Sequence, residues 1–197
     1  MAFVKQTLAD LKQSLADRHN SGTLPTKATT LSLWTRLLNK GQNYCARKTN
    51  IQATTSLTTV NGTIALPENF KSIFRVFLDD TEMVQVGQDD LDQQNGYVYW
   101  ISGDHFNGFY LNTDSDQEYD IQYYYYPSPM SLDTDECFVT DPEAPVAYAY
   151  AMLRRSESDP FEDAERSLQE VDSRIVEMNS DKMKNDDNLD FLMVQGS

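Results

Sequence analysis

The spacing of apolar residues changes character twice along this chain, and those two changes bound what it can fold into. Helical spacing opens the sequence, a strand-like stretch rich in Thr, Val and Tyr begins at Gln52, and helical spacing returns after Pro127. Val4, Leu8, Leu11 and Leu15 form one apolar stripe of a first helix, which Asn20-Ser21-Gly22 ends. After a linker at Leu24-Pro25-Thr26, a second helix is expected over residues 29–48. Leu31, Trp34, Leu38 and Cys45 lie along one side of it, with Leu37 beside them. Gly41 shares that side, where it marks either a close helix crossing or a weak point.

Between the helices, Thr54, Thr55, Thr58, Thr59, Val60 and Ile64 favour strands, and Asn61-Gly62 predicts a type I′ hairpin. Pro67 suits the first position of a short turn before Phe70. Asp79-Asp80-Thr81 connects strands at 73–78 and 82–86, and residues 87–94 are polar, with one helical turn around Leu91. Strands at 97–102, 109–112 and 119–126 bring the total to six or seven. Asp141 is then the expected N-cap of a third helix, with Pro142 in its first turn and small residues at Ala144, Ala147, Ala149 and Ala151. Asp159-Pro160 repeats the device before a last helix striped by Phe161, Ala164, Leu168, Val171, Ile175 and Met178. Past Asn179 a charged spacer leads to an apolar clip at Leu189, Phe191, Leu192, Met193 and Val194, read as an arm that orders on a partner or folds back on its own domain.

The fold class predicted is α+β: a helical bundle of about four helices interrupted by an inserted antiparallel β domain, a small sandwich or barrel, with an extended C-terminal arm. Its boundaries are 1–50 and 128–180 for the helical frame, 51–127 for the β domain and 181–197 for the arm. At 197 residues such a chain buries a real core. It has no run of eighteen apolar residues to span a membrane, and charges interrupt any would-be signal peptide. Cys45 and Cys137 lack motif spacing and read as free thiols; His19 and His105 read as ordinary surface or turn residues.

Charge is distributed unevenly. Residues 1–50 hold eight Lys/Arg against Asp10 and Asp17, a balance of +6, so the rest of a chain of net −15 carries −21. That polarity reads either as a solvated acidic face or as head-to-tail packing of copies, with Arg36, Lys40, Arg47 and Lys48 as candidate interface cations, and it disfavours sequence-specific DNA binding. No nucleophile–base pair, phosphate loop or metal spacing is visible, so neither an enzyme nor a cofactor is expected. The acids from Asp114 to Asp120 resemble a calcium loop but place Tyr119 where glycine is needed and Tyr125 where a carboxylate is needed. Asp89, Asp90 and Asp92 lack an oppositely tuned partner carboxylate. The aromatics Tyr97, Tyr99, Trp100, Tyr124 and Tyr126 are candidates for a subunit or tail interface. Strand alternation sets Tyr123 and Tyr125 on one face and Tyr124 and Tyr126 on the other.

The order LWTRLLNKGQNYCARKTN, TTSLTTVNGTIALPENFKSIFRV, YDIQYYYYPSPMSLDTDE and APVAYAYAMLRR…DPFEDAERSLQEVDSRI resembles the head-to-tail adaptor (connector or neck) proteins of tailed bacteriophages, across residues 28–180. The resemblance implies a structural virion protein of the neck, made in the bacterial host cytoplasm. It would form a ring of typically about twelve copies below the portal protein, extend the DNA channel and offer a platform to a tail or nozzle protein. It would stand close to double-stranded DNA without binding sequence, and the apolar clip at 189–194 would dock on the portal. The alternatives are another neck or tail component, such as a stopper or tail-tube protein, and a glycan-binding tail domain using Tyr97, Tyr99 and Trp100.

Overall fold

In a computed structural model the described residues form four helices and eight short strands, an α+β protein with one antiparallel and one mixed sheet. The structure describes residues 5–58, 63–87, 97–102, 105–109, 117–156 and 161–194, with side chains described as far as Ser180 in the last segment. Val4, the Asn61-Gly62 pair, the turn at Leu91, the acids Asp89, Asp90, Asp92 and Asp114 to Asp116, and Asp159-Pro160 lie outside the described residues. Two compact units emerge, one comprising Met1–Asn50 with Pro127–Ser197 and the other Ile51–Tyr126.

In the helical unit, α1 (Leu8–His19) starts at a reciprocal cap: the Asp10 amide donates to the Thr7 hydroxyl, and the Asp10 carboxylate accepts from the Thr7 amide. The chain turns out of α1 through Ser21 and Gly22, both at positive φ. α2 (Ala28–Lys48) and α3 (Glu143–Ser156) cross closely. A Cβ on Gly41 would stand 2.7 Å from the Pro145 carbonyl oxygen, so Gly41 is a crossing point and not a weak point. Asp141 caps α3 by accepting from the Glu143 amide at 3.0 Å. All four of its small residues are fully buried, and α3 packs on α1, α2 and α4 (Phe161–Val194). Ala164, Val171, Ile175 and Met178 form the buried stripe of α4. α4 continues as helix to Val194, where an extended arm was expected from 181 on. No Gly or Pro occurs between Phe161 and Val194 to end it.

In the strand unit, β1 (Gln52–Thr58), β8 (Glu118–Tyr125), β3 (Phe70–Leu78) and β4 (Thr81–Glu82) form one sheet in that order. β2 (Thr63–Ala65), β7 (His105–Phe109), β6 (Val98–Ser102) and β5 (Val84–Gln85) form the other. Both sheets feed one core of Val76, Leu78, Met83, Tyr99, Phe106, Tyr119 and Ile121. β1 and β2 do not pair with each other as the expected hairpin would have them: β1 pairs with β8 and β2 with β7, in different sheets. Long-range pairing overrides the local turn signal. A type I′ connection occurs at Asp79-Asp80, with φ of 48° and 61°, between the paired Leu78 and Thr81. Of the strand expected at 109–112, Phe109 is described and closes β7 opposite Val98 of β6, while residues 110–112 lie outside the described residues.

Candidate interaction surfaces

The residues from Pro127 to Val139 cross the helical unit as an irregular strap, and polar side chains of α2 hold it. Asn39 donates to the Met130 carbonyl and accepts from the Met130 amide, both at 2.8 Å. Gln42, 1 % exposed, donates to the Ser128 carbonyl at 3.2 Å and accepts from the Phe138 amide at 3.1 Å. Each amide thus supplies the donor and acceptor that the strap's backbone lacks. The entry to α1 pins the other end, with the Cys137 amide donating to the Gln6 carbonyl and the Leu8 amide to the Asp135 carbonyl, both at 2.8 Å. The Asp135 carboxylate receives the Ser131 and Leu132 amides, which hold it below the usual carboxylate range. The tight turn leaves Leu132 64 % exposed.

Alongside the strap, the outer face of α2 carries an open groove of about 430 Å³. Ser32, Arg36, Lys40 and Asn43 line it from the helix, Pro127 and Pro129 from the strap. Arg36 and Lys40 recur one turn apart, both exposed, and neither has an ion-pair partner among the described residues. Other cations of the helical unit differ. Arg18 forks onto Glu170 and reaches Glu143 at 2.9 Å, while Arg174 bridges Glu170 and Asp141 at 2.9 and 2.7 Å. These pairs join α1, α3 and α4, and the hydrogen bond from Arg18 chiefly holds the Glu170 carboxyl below its ordinary value.

The four candidate cations therefore separate. Arg36 and Lys40 share the groove and Arg47 is exposed farther along α2, whereas Lys48 is bound to Asp172 at 2.8 Å. Bonds from Lys48 and Tyr44 lower the Asp172 carboxyl, and those to Asp172 and Tyr44 push Lys48 up to about 12.

The aromatic candidates separate as well. Tyr99 is 4 % exposed and stacks on Phe106, so it belongs to the core and not to a surface. Tyr97 packs partly against the same core, while Trp100, on the alternate face from Tyr99, is half-buried. Tyr124 lies against Phe74 with centroids 5.5 Å apart, and Tyr123 lies against Phe70 and Tyr125, as alternation requires. Tyr126 is half-buried beneath the Lys71 ammonium. Leu189, Phe191, Leu192, Met193 and Val194 fall in the last turns of α4, beyond the described side chains.

His19 corrects its reading as an ordinary surface or turn residue, standing edge-on to Trp34 and Tyr150 at 5.9 and 6.3 Å. Sequence reasoning also passed over Asn39 and Gln42, and the only signal was two amides beside the apolar stripe of α2. Among the described residues no group of three or more His, Cys, Asp or Glu is arranged to hold a metal ion, and no helix is long and apolar enough to cross a membrane.

Residues 6–188 match the family model described as SU10 adaptor protein. No curated protein matches the chain.

Proposed function

The chain belongs to the SU10 adaptor protein family, a family of phage head-to-tail adaptors, and on that premise we propose that it forms a ring below the portal. Membership alone makes it a structural component of a virion that associates with other head and tail proteins. In the proposed reading the ring holds about twelve copies, extends the DNA channel and gives the tail its attachment platform. The helices form the frame of the ring, and the inserted β domain supplies surfaces to neighbouring copies and to the next component. The end of α4, with Leu189, Phe191, Leu192, Met193 and Val194, docks on the portal as an apolar helical clip rather than as an extended arm.

The observation that carries this reading is the family match, which runs through both helical segments and the strands between them. The charge of the chain is compatible with it. At net −15 an acidic wall repels phosphates, so DNA in transit would not be held.

Negative-stain microscopy of portal rings mixed with the purified protein tests the assignment, since adaptors can remain monomeric without a portal template. Decorated portal rings are the expected result, and bare rings at saturating protein would sink it. Deleting residues 185–197 should abolish decoration; unchanged decoration would remove the clip from the portal contact.

A further inference from the structure

We propose that the Arg36–Lys40 groove on α2 receives the Asp79-Asp80 hairpin tip of a second copy of this chain, forming a repeated head-to-tail contact. This rests on the ring reading above and names the surfaces through which one copy meets the next.

The groove offers two cations one helical turn apart, flanked by Ser32 and Asn43 and backed by Pro127 and Pro129. Among the described residues no carboxylate lines it. A ligand that fits carries two adjacent negative charges beside an apolar surface. Duplex DNA is a poor occupant, because a chain of net −15 repels phosphates and two cations offset little of that.

The tip between β3 and β4 has the matching chemistry. Asp79 and Asp80 are exposed and consecutive, and neither has an ion-pair partner among the described residues. Val84, 60 % exposed, follows a few residues on and supplies an apolar side chain to set against the prolines. Both aspartates sit at positive φ in a type I′ turn, a conformation that Asp tolerates better than most side chains, so the turn holds two adjacent exposed carboxylates at the hairpin tip.

Such a contact joins different patches on each copy, so it is heterologous and closes into a ring where the rotation permits. Its strength would fall with salt, as expected of exposed charges.

Complementary charge reversals test it in the full chain, with and without portal rings, by sedimentation velocity and native mass spectrometry. Arg36→Glu/Lys40→Glu places acid against acid, and Asp79→Lys/Asp80→Lys places base against base. Each variant alone should associate roughly a hundredfold more weakly than the parent, or worse. Mixed in equal amounts, the two should assemble again, because every groove then meets a tip of opposite sign. Misfolding cannot produce that rescue. Parent-like assembly by either variant alone overturns the contact, as does a mixture that stays dissociated while the parent assembles. A parent that never associates in either condition sinks the ring reading itself and takes this contact with it.

Discussion

Two thiols show at the residue scale how burial sets chemistry. Cys45 and Cys137 are free and buried in the helical unit, and desolvation pushes them up to about 12 and about 11 from an ordinary 9.0. A raised folded-state value means the contribution is complete below pH 9 and is lost as pH rises toward 12, since the unfolded chain releases its thiol protons first. The thermal midpoint should therefore fall through that window, and a Cys45→Ala/Cys137→Ala variant should show a shallower fall. Equal slopes would remove the thiols as the cause. Their free state was readable from spacing alone. The roles of Asn39 and Gln42 were not, because their partners stand 91 and 86 residues along the chain. Polar side chains next to an apolar stripe carry no mark of the backbone groups they will meet. Tyr99 was misjudged for a related reason: tyrosine suits a core and an interface equally, and only pairing with β7 decides which face turns inward.

At the scale of elements, sequence periodicity located helices better than it located strand partners. The four helices start within a few residues of their caps and stripes, because those signals act between near neighbours. Strand partners are set by distant segments, so β1 and β2, expected to pair with each other, pair with β8 and β7 instead, while the less conspicuous Asp79-Asp80 turn joins β3 to β4. The end of α4 was missed because charge was taken to mean an arm, although charged residues without Gly or Pro sustain a helix. Gly41 yields a prediction at this scale. Alanine there gains about 1 kcal/mol of helix propensity but drives a methyl against the Pro145 backbone, an overpacking cost of about 1–3 kcal/mol. The expected net effect of Gly41→Ala is a lower thermal midpoint with helix content retained. A midpoint at or above the parent's would show that the crossing can widen without loss.

Across the whole molecule, the ion network of Arg18, Glu143, Glu170, Arg174 and Asp141 ties α1 to helices more than a hundred residues later. Its members are about a third exposed, so Arg18→Ala should cost on the order of 1 kcal/mol rather than the several of a fully buried pair. The Glu170 carboxyl is lowered from 4.5, so its contribution is present above that pH and disappears as pH falls below it. Chemical denaturation should accordingly separate parent and Arg18→Ala near neutrality and bring them together in acid; a constant gap would exclude the carboxylates. Family membership was visible in the order of helices and strands, whereas the groove beside α2 was not, since the strap that completes it follows about eighty residues later in the sequence. The same connectivity governs how the chain is made. α1 and α2 leave the ribosome first, but α3, the helix on which both pack, begins 95 residues after α2 ends. At translation speeds of about 5–20 residues per second, Leu8, Leu11, Trp34 and Leu38 wait on the order of 5–20 s for their partners. During that interval the strands are synthesised, so the nascent protein meets its chaperones with two adhesive helices uncovered.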